Sequence, residues 1–596
     1  MHSILRHLRP ALAVPALLVS LAAPAAATVY VISDTRDVVA VDLSCTLREA
    51  LTAAVDQVAV DTCPAGTASN TIELGFGTYE FDQGPFLIPN SIAAVDLEIT
   101  GINGLVVGTR VDLGGANAFL NVSGIGIGTE IPHRLRIAGV QIQDAGGNGR
   151  AAVQLSGSGA LTLDNVSFVG NACVSNCALA ASAVGFSGSG DLAIRDSFFR
   201  RNEGLTSLFL RPDGDATVRI ERTRMLENPG GLQIRAVDTA DVVLEDLDIE
   251  QAGVDGDASL VLFLDLRDQV TAAARRVALR DNIVTTGTPA SFSLTVDAAL
   301  TLERWNLERN QSPSSGALAM SATGQATVTV RDLVALRNTS ASGTSAFEGA
   351  VRITTVGDAT LDWQRGELRD NVTASGGFQP TAGLSVVGRD GGEILVDRVK
   401  LLANRHVNTM DQPGALQATV IADGVGSRAT VRNSLVADAP GIGMRLSALD
   451  DGIAELVNAT FTGNDSTVIF VAGEDPVAAP SRVQNSIFFG NDDDALDLMG
   501  MAILAEANLV GVDPLFMDAG AGDYRLLPGS PAIDGGFFAS GQFLGPLDLG
   551  GRPRIAPGTA GGTPVPDIGA HEFQVDLLFD DGFESGDLLR WSSSTP

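Results

Sequence analysis

Residues 161–171, Leu-Thr-Leu-Asp-Asn-Val-Ser-Phe-Val-Gly-Asn, read as two short strands hinged at one residue. Leu161 and Leu163 stand two apart, Val166 and Phe168 stand two apart, and the gap between the pairs is three. A period of two, a one-residue corner and a period of two again describe a strand that bends onto a second face, and no helical spacing fits. The same phrase ends at Asn202, Asn228, Asn310, Asn338, Asn404, Asn464 and Asn491, and in looser form at Asn282 and Asn371. Ala252 and Ala439 take the place of asparagine in two further copies. Twelve units at spacings of 24 to 35 residues fall within the window of solenoid repeats.

The step from turn residue to asparagine is six residues in every unit, as a constant coil cross-section requires. Length varies only between units, where loops on another side absorb it. The expected fold is all-β: a right-handed parallel β-helix, the hand following from the rule for parallel crossovers. Twelve coils, with about three less regular ones between Thr71 and Ile142, give a rod of roughly 70 Å at ~4.8 Å per coil. Asparagine suits a corner because it tolerates left-handed backbone angles, and stacked copies can bond side chain to side chain. Asn171, Asn202, Asn228, Asn282, Asn310, Asn338, Asn371, Asn404, Asn464 and Asn491 are therefore read as a structural ladder and not as ligand residues. Leucine-rich and propeller repeats would need a Leu-x-x-Leu-x-Leu consensus or four strands per blade, and neither pattern is present.

Outside the repeats, Arg6 and Arg9 precede an apolar run from Ala11 to Ala23 and the small residues Ala25-Ala26-Ala27. This is the grammar of a secretory signal peptide, residues 1–27, and the run is too short and too proline-broken for a membrane span. The expected location is secreted or cell-surface, with the periplasm an alternative, and no transmembrane anchor. The formal charge of −32 repels phosphate backbones, so nucleic acid is not an expected partner. With 18% charged residues and 67 glycines the balance suits short strands and turns.

Four cysteines in an exported chain are read as oxidised. Three pairings are formally open, and proximity favours Cys45 with Cys63 and Cys173 with Cys177; no histidine stands near either pair to suggest a metal. Thr46-Leu47-Arg48-Glu49 is a capping box, and Leu47, Ala50, Leu51, Ala54, Val55 and Val58 follow at helical spacing, which predicts a short helix capping the first coil.

Cys45-Thr46-Leu47-Arg48-Glu49-Ala50 resembles the CSLREA motif that opens many exported bacterial β-helix proteins, with threonine in place of serine. The segments Asp513-Pro514-Leu515-Phe516, Gly529-Ser530-Pro531-Ala532-Ile533-Asp534 and Asp567-Ile568-Gly569-Ala570-His571-Glu572 are similar to the closing segment known as choice-of-anchor Q. The resemblance implies a β-helix and export, and no catalytic residues. The expected organisation is a signal peptide (1–27), an N-terminal cap (28–70), β-helix repeats (71–507), the closing segment (508–574) and a tail (575–596).

Chemistry is sparse. Two carboxylates at hydrolase spacing could arise almost anywhere on stacked coils, so that requirement selects nothing. His133, His406 and His571 lie in no nucleophile-elbow context. Aromatics make up only 5%, with Trp305, Trp363 and Phe378 as candidate platforms for sugar rings. Asp492, Asp494 and Asp497 are a candidate calcium cluster, resembling the Asn-x-Asp-Asp sites of some β-helix lyases; apart from such calcium no cofactor is expected. The expected function is that of a noncatalytic scaffold for adhesion or for binding polysaccharide and cell-surface glycans, against the alternative of a polysaccharide lyase or glycoside hydrolase.

Overall fold

The computed structural model describes residues 27–575, apart from 90–93, 103–107, 116–117, 124–131, 149–150, 176–180, 254–260, 341–348, 375–379, 408–415, 473–480, 494–495, 500–502 and 539–543. The chain is a parallel β-helix. One long sheet of 26 strands starts at Thr28–Ile32 and ends at Leu509–Val510, and a second sheet has 15 strands, one from each coil between Phe86–Pro89 and Leu496–Met499. Fifteen coils match the count of twelve regular and about three irregular turns. The solenoid reaches further toward the N-terminus than residue 71, because Thr28–Ile32 pairs in parallel with Ser69–Leu74.

Each central coil contributes one ten-residue strand to the long sheet, and Ala299–Glu308 shows how it is built. Leu300, Leu302, Trp305 and Leu307 point into the core, and the alternation skips a residue at Arg304, whose φ is 57°. The same left-handed corner recurs at Asp196, Arg222, Asp246, Arg276, Asp332 and Arg365. Opposite charges stack there from coil to coil: Arg222 meets Asp196 at 2.7 Å, Arg276 meets Asp246 at 2.5 Å and Arg365 meets Asp332 at 2.6 Å. Inside, neighbouring coils align like on like, so that Phe168 lies flat on Phe199 with centroids 5.0 Å apart.

The asparagines form a buried polar column beside this core. Asn310 donates from its backbone N–H and from Nδ2 to Oδ1 of Asn338, at 3.0 and 2.9 Å, and Nδ2 also donates to the Leu279 carbonyl. Asn338 repeats the pattern toward Asn371, and Asn371 toward Asn404. The other runs are Asn171, Asn202 and Asn228, then Asn282 into Asn310, and finally Asn464 into Asn491. A buried amide is thus satisfied on both its donor and acceptor sides without water.

Two details differ from expectation. The ladder asparagines are not themselves left-handed; the residue before each one is, as at Arg309, Arg337 and Asp370. That preceding turn leaves the asparagine free to point inward. The gap at Ala439 is also bridged: Gln417, from the strand Leu416–Asp423, accepts from Asn404 Nδ2 at 3.0 Å and donates to Asn464 Oδ1 at 3.0 Å. Its longer side chain reaches the column from another face of the coil. The gap at Ala252 has no such bridge among the described residues, and only its backbone N–H joins the column, through Asn282 Oδ1.

The helix Leu47–Asp56 closes the N-terminal end, with Thr46 and Glu49 exchanging both capping-box hydrogen bonds. It ends sooner than the apolar spacing suggests, and Val58 is exposed. Cys45 and Cys63 are disulfide-bonded, tying together the two ends of this cap. Cys173 is disulfide-bonded as well, and Cys177 lies outside the described residues.

Replacing Asn338 or Gln417 by leucine removes the acceptor for two buried donors of the preceding coil. Each change is expected to cost about 1–3 kcal/mol, read as a lower denaturant midpoint; an unchanged midpoint for both would mean that the column carries no stability.

Candidate functional site

The outer face of the second sheet is where the two kinds of coil surface diverge. Side chains alternate along each strand, so Leu208 and Leu210, Leu232 and Ile234, and Leu262 and Leu264 fill the core. Their outward neighbours form two columns along the rod. Phe209, Gln233, Phe263, Ser291, Ala319 and Arg352 follow one another in register along one of them. A cleft of about 250 Å³ lies among Arg211, Pro212, Asp213, Arg235, Val237 and Asp265, and Arg267 closes it. A second hollow of about 460 Å³ is lined by serines of two coils with Arg352 and Arg389.

Charge pairing separates this face from the long sheet. Every long-sheet arginine from Arg195 to Arg482 lies within 4.0 Å of a carboxylate, most of them on an adjoining coil. On the second sheet, Arg211, Arg235, Arg352 and Arg445 have no such partner among the described residues. Arg389 reaches Asp423 at 3.4 Å, and Arg267 is held by Asp265 at 2.8 Å, which raises its pKa above the ordinary arginine value. A paired surface guanidinium is largely neutralised, whereas an unpaired one keeps its charge and its forked donors for a ligand oxyanion. In a chain of net charge −32, guanidinium groups without an ion-pair partner are a local exception, although Asp213 and Asp265 share the first cleft with them.

A different cleft forms at the far end, where the closing segment folds back along the solenoid. Three left-handed corner residues of the last coils are asparagines, and each takes hold of this segment. Asn433 donates to the Leu544 carbonyl, Asn458 to the Asp567 carbonyl and Asn485 to the Phe537 carbonyl, at 2.8 to 2.9 Å. Buried Arg554 binds Glu572 at 2.7 Å and also donates to Asn433 Oδ1. The hairpin of Phe516–Asp518 and Asp523–Leu526 then lays Tyr524 over Leu402, Leu435 and Ala437. Beneath it is a cleft of about 330 Å³ with Lys400, the one lysine of the chain, between Asp370 and Asp438. Burial and the adjacent Asp438 push the Tyr524 hydroxyl up to about 12, so it serves there as a donor and not as a base.

Other candidates fall elsewhere. Trp305 and Trp363 are buried in the core, where Trp305 donates to the Ala274 carbonyl, so neither is a sugar platform. They occupy inward positions of the strand alternation. Phe378 lies outside the described residues. Of the acidic cluster, Asp492 and Asp493 are exposed, Asp494 lies outside the described residues, and Asp497 sits on the last strand of the second sheet with its side chain not described. No group of three metal-ligating side chains occurs among the described residues. His133 is buried and accepts from the Val95 N–H, with its pKa lowered by burial, and His571 stands 3.9 Å from Asp548 in the closing segment. No helix among the described residues is long and apolar enough to cross a membrane. Sequence reading passed over the arginines because their distinction is the lack of a partner on the next coil.

No family model matches the chain, and no curated protein matches it. Among solved structures, it is similar to DFA-IIIase from Arthrobacter chlorophenolicus A6, in complex with GF2, at 10% identity over 67% of this chain and 95% of that one, with a TM-score of 0.28. It is also similar to the periplasmic alginate epimerase AlgG, at 7% identity over 72% of this chain and 78% of the other, with a TM-score of 0.22. Likeness at this level bears on neither substrate nor activity.

The closing segment encloses one buried ion pair, Arg554 with Glu572, beside its asparagine anchors. Arg554→Leu strands the Glu572 carboxylate and is expected to cost about 3–5 kcal/mol of docking, visible as faster hydrogen exchange across residues 544–573 with the central coils unchanged. The double change with Glu572→Leu should recover much of that loss; equal exchange in all three proteins would refute the role of the pair.

Proposed function

We propose that this protein is an exported, noncatalytic β-helix scaffold that binds polyanionic glycan along the outer face of its second sheet. The observation that carries the reading is the contrast in pairing: the long-sheet arginines from Arg195 to Arg482 are matched to carboxylates, and Arg211, Arg235, Arg352 and Arg445 are not, among the described residues. Positions equivalent on successive coils repeat every ~4.8 Å, which suits a linear polymer better than a compact ligand. The serines and threonine between the arginines supply neutral donors and acceptors for sugar hydroxyls. A secreted or surface protein that adheres through such a face needs no catalytic residue.

The full-length protein should retain polygalacturonate or alginate in affinity electrophoresis and not neutral dextran. Binding should weaken as salt rises from about 0.05 to about 0.5 M, since the Debye length falls from well above 10 Å to a few ångströms. The triple change Arg211→Gln, Arg352→Gln and Arg445→Gln should abolish retention at moderate salt. Equal retention by the triple variant would remove this face from consideration.

A second reading, a carbohydrate-active enzyme, draws on the cleft beneath Tyr524. Asp370 and Asp438 stand at equivalent corners two coils apart, with only Ala403 between them. Two coil steps amount to roughly 9.6 Å, at the upper edge of the ~6.5–9.5 Å between carboxylates of inverting hydrolases. The scaffold reading expects no release of reducing ends and no unsaturated products from polygalacturonate or alginate, with or without calcium. Products that vanish in Asp438→Asn would establish the enzyme instead.

A further inference from the structure

We propose that the cleft among Arg211, Arg235 and Arg267 is a carboxylate-binding subsite that selects uronic acid units of the polymer, an inference that rests on the glycan-binding reading above. Its centre is Arg235. The guanidinium carbon lies 5.8 Å from the Phe209 ring centroid and 5.9 Å from that of Phe263, so the group is flanked by aromatic rings of the preceding and following coils. With its amide oxygen turned toward Arg235, Gln233 accepts from Nε and Nη2 at 2.8 Å each. That leaves Nη1 with no partner among the described residues. The guanidinium is thus oriented before any ligand arrives, and its remaining donors cost little entropy to use.

The two flanking arginines complete the clamp. Asp265, itself only 8% exposed, holds Arg267 in a two-point contact, Nε to Oδ1 at 3.0 Å and Nη2 to Oδ2 at 2.8 Å. Asp265, in register with Arg235 on the next coil, is thus engaged by Arg267 and makes no ion pair with Arg235, so that with Asp213 the cleft holds three guanidinium groups against two carboxylates. Arg211 makes no ion pair among the described residues and stands on the opposite rim. Pro212 and Val237 give the cleft apolar walls against which the C–H face of a sugar ring can lie. At about 250 Å³ it is smaller than the ~300–1,000 Å³ typical of pockets for drug-sized ligands, and so takes one ring of a polymer and not an oligosaccharide. A planar carboxylate offers two coplanar oxygens to a planar fork of N–H donors.

The test is calorimetric titration of the full-length protein with three probes: galacturonic acid oligomers, the methyl esters of the same oligomers, and sulfated dextran. The acid oligomers are expected to bind about tenfold or more tightly than their esters, the scale of one lost charge-assisted contact. Arg235→Gln should erase that preference, while Arg352→Gln, outside the cleft, should weaken all anionic probes and keep it. An unchanged melting temperature confirms that either variant is folded. Tighter binding of sulfated dextran, or a preference that survives Arg235→Gln, would overturn the subsite and leave the glycan-binding reading standing, whereas equal affinity for acid and ester would overturn both. Failure of the wild-type protein to bind any anionic probe would overturn both.

Discussion

The buried amide column is the constraint on which the remaining structure depends. An asparagine inside a hydrophobic coil is tolerated only if its N–H and C=O groups are all met, and here they are met by the next asparagine and by carbonyls of the neighbouring coil. That requirement sets both the register between coils and the direction of stacking, since a slip by one residue would bury several unpaired groups at once. Gln417 shows how strict the requirement is. Where asparagine gives way to Ala439, an amide from a different strand fills the same two bonds.

With register held from inside, the outer surfaces are free to differ. On the long sheet, corner residues in left-handed conformation carry opposite charges on successive coils, which offsets the local backbone cost with a stack of ion pairs. The second sheet has no such neutralisation at Arg211, Arg235, Arg352 and Arg445, and its aromatic residues Phe209 and Phe263 face outward beside them. The same scaffold therefore presents a self-satisfied face and one whose charges await a partner. The last coils use the corner in a third way, with Asn433, Asn458 and Asn485 anchoring the closing segment.

The residues that make up one repeat unit, like those that make up the capping box, lie within a few positions of one another along the chain, so strand, corner and cap were all legible in the sequence. Local spacing also marked the ladder asparagines. It misjudged which residue turns left-handed, because the inward direction of Asn310 is set by Arg309 before it. The same limit applies to Trp305 and Trp363, whose strands are legible but whose facing follows from the corner at Arg304 and Arg365.

What the sequence by itself determined is everything carried by alternation and repetition: an all-β parallel solenoid, the number of its coils and a short helical cap, in a strongly acidic chain. What only the tertiary structure decided is which groups meet across coils, residues 13 to 86 positions apart along the chain. Gln417 bridging a gap, Tyr524 roofing Lys400 and the lack of a carboxylate within ion-pair distance of Arg235 among the described residues are all of this kind. The physical reason is that hydrogen bonding and charge neutralisation are settled over a few ångströms of space. In a solenoid those ångströms separate residues a whole coil apart in sequence, and the variable loops between coils hide that distance from any reading along the chain.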